Sequence, residues 1–310
     1  MVNTFKQLAW DGDTLDDARY LIRLAVREDL SNQQDWTTMA TVPADAASVA
    51  EVVAREAGVV AGIGIIKAVL QEMNISAACD ELVSDGEVIE SGAVLCRLSG
   101  FSRDLLTAER TMLNFLGRLC GVATQAARYV SELDGTTAKV YDTRKTTPGW
   151  RRLEKYAVRC GGGVNHRTGL FDAVMIKDNH LAAYAQQQGI DNNEDAVASV
   201  LAGARAFVES LGEQRMTDTP VEIEVDTLAQ LRIALPCSPD IVLLDNMTLE
   251  QLVEAVALRN QLSPDTQLEA SGGVTLETLQ PIGQTGVDRI SVGALTHSVI
   301  NLDIGLDWQT

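Results

Sequence analysis

The chain is short of positive charge. Its 310 residues carry 25 Lys and Arg against 43 Asp and Glu, a formal charge of −18 and a sequence pI near 4.5. A surface of that sign repels nucleic acid and anionic membrane, so neither is expected as a partner and a small, enclosed anion fits better. Cysteine is sparse as well. Cys79, Cys96, Cys120, Cys160 and Cys237 are scattered with no CxxC pair, which argues against a zinc site or a disulfide framework and for a reducing, cytoplasmic setting. No apolar run reaches membrane-spanning length, and the amino terminus MVNTFKQLAWDGDTLDD lacks the basic region and apolar core of a secretion signal. The 46% hydrophobic content and 24 Gly suit a globular enzyme of one large domain, or one large and one small.

Against this background residues 139–180 stand out, with nine of the 25 Lys and Arg against four Asp and Glu. Two of the three histidines, His166 and His180, and the run Gly161-Gly162-Gly163 fall in the same stretch. A basic island in an acidic chain predicts a pocket for phosphates or carboxylates.

The first hundred residues read as a small α+β domain. Asp13-Thr14 can cap a helix, and turns are expected at Asp85-Gly86 and Ser91-Gly92. Leu105, Ala108, Met112, Leu116, Leu119, Ala123, Ala126 and Val130 recur every three or four residues, predicting a helix over 103–133 long enough to bridge two domains. Beyond it, apolar strands at 138–141, 173–176, 221–225, 241–244, 267–270 and 289–292 alternate with helices such as 249–258. Such βα units imply a parallel sheet, closed as a barrel or open. The tail 301–308 breaks the rhythm and is expected to return as a strand to the first domain.

The polar residues at those strand ends supply the candidate chemistry. Thr143, Arg144 and Lys145 follow the first strand; Arg grips a carboxylate with two parallel donors and Lys offers a mobile point charge. His166-Arg167 after the glycine run adds another donor pair, and Lys177 ends an apolar strand. In VEIEVD, alternation puts Glu222, Glu224 and Asp226 on one face, so they should reach solvent, a cation or the sheet mouth. Asp245 ends IVLL. Acids beside an anion site can hold ribose hydroxyls, bind Mg²⁺ through oxygen or stabilise a sugar cation; Asp245 can also cap the helix near Thr248. Ser271-Gly272-Gly273 and Gly293 end the last strands, where glycine loops before helices form phosphate grips.

The segments ERTMLNFL, TRKTTPGWR, YAVRCGGGVNHRTGLFDAVMIKDNH, EIEVD, LLDN, EASGG and ISVGAL resemble the quinolinate phosphoribosyltransferase family from about residue 28 onward. The resemblance implies an α/β chain with an N-terminal α+β open sandwich, residues 1–112 joined by the tail 298–310, and a seven-stranded α/β barrel over 113–297. It implies that Thr143, Arg144, Lys145, His166, Arg167 and Lys177 line the quinolinate site, with Arg110 entering from the other subunit of a homodimer. Lys145, Glu224 and Asp245 are the expected catalytic residues, Glu224 and Asp245 facing ribose and Mg²⁺, directly or through water. Ser271, Gly272, Gly273 and Gly293 would hold the 5-phosphate of phosphoribosyl pyrophosphate. Without the resemblance, Arg110 reads as a solvated residue of a helix face.

Trp150 and Thr168 depart from the smaller or aliphatic residues the family pattern suggests, and 183–196 reads as a longer, polar, external connection. Two competing functions are a transferase for another pyridine or aromatic acid and a noncatalytic anion-binding protein on the same fold. The presence of Lys145, Glu224 and Asp245 argues against the second.

Overall fold

The computed structural model describes residues 5–192, 194–212 and 219–309. Its strands, in chain order, are β1 Ala47–Ala54, β2 Gly58–Val59, β3 Ala78–Glu81, β4 Val88–Ile89, β5 Val94–Phe101, β6 Lys139–Tyr141, β7 Val174–Ile176, β8 Val221–Val225, β9 Ile241–Asp245, β10 Gln267–Ser271, β11 Arg289–Ser291 and β12 Ile304–Trp308. They fall into two compact units that interleave along the chain. The antiparallel unit draws on 8–127, 145–163 and 294–310, and the parallel unit on 1–7, 128–144 and 164–293. The expected boundary at 112–113 lies inside the helix Ser102–Ser131.

In the antiparallel unit the sheet order is β12-β1-β5-β3, with β2 and β4 paired separately. The last strand of the chain runs antiparallel to β1, Val52 opposite Leu306. Val52, Ala54, Leu95 and Leu98 are fully buried. The helix Gly12–Leu30 is capped by Asp11, whose carboxylate accepts the Thr14 N–H at 3.0 Å, two residues before the expected Asp13-Thr14 cap. Gly86 and Gly92 turn the chain with φ of +87° and +88°, as their dipeptides predict. Seven of the eight stripe residues of Ser102–Ser131 are fully buried, Val130 being half-buried. Gly121 lets the tail lie against this helix, since a Cβ there would stand 2.3 Å from the Ile300 carbonyl. Trp150 is accommodated by stacking on Phe115, ring centroids 4.7 Å apart.

The parallel unit is a six-stranded sheet in the order β6-β11-β10-β9-β8-β7, each strand three to five residues long. The seventh barrel strand is reduced to one parallel bridge, Val164 to Tyr141. Side chains take over the ladder at this edge. Asp142 Oδ1 accepts the His166 N–H at 2.8 Å, and the Gln7 amide accepts the Asn165 N–H at 2.8 Å while donating to its carbonyl at 3.1 Å. The sheet curls, for Tyr141 on one edge, Ala173 beside the other and Ile241 in the middle share one buried cluster with Phe5, and Val164 packs against it. The helix Asp178–Gln188 takes up the first part of the 183–196 connection; Asn193 lies outside the described residues. Among the described residues no helix is long and apolar enough to cross a membrane.

Candidate active site

Parallel strands of one sheet deliver their carboxyl ends to one edge. In the parallel unit Thr143 and Arg144 follow β6, His166 and Arg167 follow the Val164 bridge, and Lys177 follows β7. Glu224 lies in β8, Asp245 closes β9, Ser271 closes β10 with Gly272 and Gly273 after it, and Gly293 follows β11. Eleven of the thirteen expected site residues therefore share one unit.

The arginines face each other's charge. Arg167 is 6% exposed, and its guanidinium is pushed below its ordinary pKa first by burial and then by Arg144. Two cations held together in poor solvent favour binding of an anion with more than one negative group. Lys177 pairs with Glu224 rather than with Asp178 or Asp142. Burial lifts the Glu224 carboxyl despite that partner, with Asp245 and Asp178 adding to the shift; Asp226 is lifted by burial, Asp245 and Asp178. Asp245 does not cap the following helix. Thr248 does, accepting the Gln251 N–H at 3.3 Å, while Asp245 accepts from the Asn246 amide at 2.7 Å.

Ser271 leads into Gly272 and Gly273, with φ of +99° and +58°. Any side chain at Gly272 meets a wall, because a Cβ would lie 2.1 Å from Asn246 Oδ1. Gly293 is followed by a helix of only four residues, Ala294–His297.

The largest departure from expectation is on β8 and beside it. Glu222 points inward and is fully buried instead of reaching the mouth. With Glu269 of β10 it flanks the buried His166, whose Nε2 lies 3.3 and 3.4 Å from the two carboxylates. Arg289 of β11 donates to Glu269 at 2.7 Å and lies over the Tyr141 ring at 3.7 Å and the Phe5 ring at 4.8 Å. Burial lowers the imidazole pKa, but Glu222 and Glu269 outweigh it and raise the value to about 9. The Arg167 N–H, 2.8 Å from Nδ1, pulls the other way, because only an unprotonated Nδ1 accepts it. Glu269, raised by burial, is carried down to about 2 by His166 and Arg289. Acids and a base at alternate positions of otherwise apolar strands are the signal in the sequence for this cluster.

Much of the basic island is structural. In the helix Arg151–Cys160, Lys155 is fully buried, Arg152 binds Asp17 at 3.0 Å and Arg159 donates to the Leu8 carbonyl at 3.0 Å. His180 accepts the Lys177 N–H at 2.9 Å and caps a helix. Thr168 donates its N–H to Asp172 at 2.7 Å. Lys145 and Arg110 belong to the antiparallel unit. The Lys145 carbonyl accepts from Thr296 at 2.8 Å, and the side chain of Arg110 is 65% exposed beside a groove of about 500 Å³ lined by Asp29, Gln33, Asp35 and Trp36.

Fold and site together define an α/β protein whose parallel strand ends collect guanidinium, imidazole and ammonium groups beside carboxylates, an arrangement suited to transfer between anionic substrates. The C-terminal domain model of quinolinate phosphoribosyl transferase matches residues 122–307 and the N-terminal domain model 35–120. The chain belongs to the quinolinate phosphoribosyltransferase family. It is 45% identical over 294 residues to the carboxylating nicotinate-nucleotide pyrophosphorylase of Mycobacterium leprae, covering 94% of this chain and 97% of that protein. It is 38% identical over 309 residues to the mitochondrial decarboxylating quinolinate phosphoribosyltransferase 2a of Nicotiana tabacum, covering 95% and 83%. The solved nicotinate-nucleotide pyrophosphorylase of Francisella tularensis superposes with a TM-score of 0.86 at 33% identity, covering 99% of this chain and all of that one.

Proposed function

We propose that the chain transfers the phosphoribosyl group of phosphoribosyl pyrophosphate to the ring nitrogen of quinolinate, releasing pyrophosphate and CO₂ and yielding nicotinate mononucleotide for NAD biosynthesis. The observation that carries this reading is the buried Arg167 beside Arg144, where burial and then the Arg144 charge disfavour the Arg167 cation and a bound dianion would offset both. Quinolinate, with carboxylates on adjacent ring carbons, is such a dianion. In this scheme Arg144, His166, Arg167 and Lys177 hold the ring acid with Thr143 beside them, and Lys145 adds a mobile cation. Ser271, Gly272, Gly273 and Gly293 receive the 5-phosphate through backbone amides.

The carboxylates Glu224 and Asp245 suit a hard cation, since they are oxygen donors and Asp245 raises Glu224 by repulsion. They would hold Mg²⁺, which when bound neutralises charge on the departing pyrophosphate. The same carboxylates stabilise positive charge at the sugar carbon. Once the ring nitrogen is alkylated it is cationic, so the electron pair that departing CO₂ leaves on the neighbouring carbon is held beside that positive charge as an ylide until a proton from solvent reaches the carbon and completes nicotinate mononucleotide. The protein's part is orientation and charge placement. Each site is completed by Arg110 of a second copy in a cytoplasmic homodimer.

Turnover with phosphoribosyl pyrophosphate and either quinolinate or nicotinate tests the reading. Nicotinate lacks one carboxylate, so kcat/KM should fall by about one to two decades, the worth of one charged contact. Equal turnover of nicotinate would move the chain to another pyridine acid. Absence of pyrophosphate release with both acids would make it a binding protein.

A further inference from the structure

The parallel unit contains a buried ionic chain that the reaction does not call for. Arg289 is 1% exposed and Glu222 and Glu269 are fully buried, yet among the described residues Glu222 Oε2 and Glu269 Oε1 have no hydrogen-bond partner, and both face His166 Nε2. Burying three such groups is costly, and replacing a buried charged set by apolar residues is often neutral or stabilising. Stability therefore does not explain their presence. Geometry does: the carboxylates hold one nitrogen of the imidazole, Phe5 packs tilted against the ring with centroids 4.3 Å apart, and the other nitrogen receives the Arg167 amide at 2.8 Å. Asp142, which directly precedes Thr143 and Arg144, binds the His166 amide at 2.8 Å and the Asn165 side chain at 2.7 Å. The Arg167 backbone is thus held against a ring whose orientation is fixed from β8 and β10.

We propose that Glu222 and Glu269, the latter anchored by Arg289, are positioning residues that act through His166 to aim Arg167 at the ring acid. Neither touches substrate. The inference rests on the quinolinate reading of the site. The three side chains His166, Glu222 and Glu269 also satisfy the spacing of a metal site, their ligand atoms lying within 4.8 Å of one another. Arg289 already supplies the compensating cation at 2.7 Å from Glu269, which makes an ion redundant.

The test uses full-length Glu222→Gln and Glu269→Gln, each preserving volume. Wild-type turnover of quinolinate is measured first; its absence would defeat the functional reading, not this inference. With the wild type active, each variant should raise the quinolinate KM by about ten-fold or more while the KM for phosphoribosyl pyrophosphate changes by less than about two-fold, since misplacement of a binding group by about 1 Å costs up to ~10²-fold. Should Glu269→Gln fail to fold with Arg289 left unpaired, Glu222→Gln decides alone, because among the described residues its carboxylate meets only the imidazole by hydrogen bond. Two unchanged KM values, or a parallel rise in both, would overturn the proposal. So would a stoichiometric divalent metal that survives dialysis of the wild type and disappears from both variants.

Discussion

Arginine at 144 and 167 offers a carboxylate two parallel donors in a fixed plane, which lysine does not. Arg144→Ala and Arg167→Ala should each weaken quinolinate binding by about 1.5–3 kcal/mol, one to two decades, while leaving phosphoribosyl pyrophosphate binding near wild type. Fluorescence titration with each ligand checks this, and equal losses would place the arginines elsewhere. At Gly272 the backbone has φ of +99° and Asn246 occupies the space of any Cβ. Gly272→Ala should therefore cost about 1–3 kcal/mol in strain and reduce affinity for phosphoribosyl pyrophosphate specifically. Equilibrium unfolding and a KM for each substrate read the two effects. Arg144 and Gly272 were visible as candidates at strand ends, and Arg167 as one beside His166 after the glycine run. Glu222, Glu269 and Arg289 were not, since alternation tells which face a strand residue takes, not whether that face is wet. Arg151, Arg152, Lys155 and Arg159 misled in the other direction, as charge density does not separate an anion site from a helix anchored by ion pairs.

At the scale of elements, a clasp inside the antiparallel unit joins the helix Ser102–Ser131 to the helix Arg151–Cys160. Arg118 donates at 2.6 Å to Glu154 and at 2.6 Å to the Thr296 carbonyl, and the fully buried Glu154 also accepts from the Thr147 N–H at 3.0 Å. Removing Arg118 leaves a buried carboxylate without its cation, a loss of about 3–5 kcal/mol. The urea midpoint of Arg118→Ala should drop accordingly, whereas Arg55→Ala, which breaks the exposed pair with Asp307, should scarcely move it. The acid limb of stability follows from Glu269. Its folded pKa of about 2 is below the ordinary 4.5, so its contribution is complete above the unfolded value and is lost as pH falls from there through about 2. Glu269→Gln should flatten that limb in a stability profile against pH. Element positions were legible because stripe and strand patterns are long or sharply bounded; the first cap shifted by two residues because Asp11 and Asp13 are equally good caps. The seventh strand, reduced to the bridge between Val164 and Tyr141, was not legible from the apolar pattern. Val164 makes backbone bonds to Val140 and Asp142, but beyond it the bonds come from the side chains of Asp142 and Gln7, which no strand pattern records.

For the whole molecule, Arg110 joins assembly to chemistry. If it completes the site of a second copy, Arg110→Ala keeps a folded dimer with poor quinolinate binding, and mixing it with Lys145→Ala restores one intact site in two. Exchanged heterodimers should reach about half the wild-type activity per dimer, above either parent. No complementation despite demonstrated subunit exchange would return Arg110 to a solvated role. The family resemblance supplied that assignment; an exposed arginine on a helix carries no signal of its own. The measurement that bears most directly on the account is isotopic. With quinolinate labelled in its 2-carboxylate, labelled CO₂ should appear one for one with pyrophosphate and nicotinate mononucleotide, and not at all when phosphoribosyl pyrophosphate is left out. Pyrophosphate release without labelled CO₂, or CO₂ release that needs no phosphoribosyl donor, would contradict it.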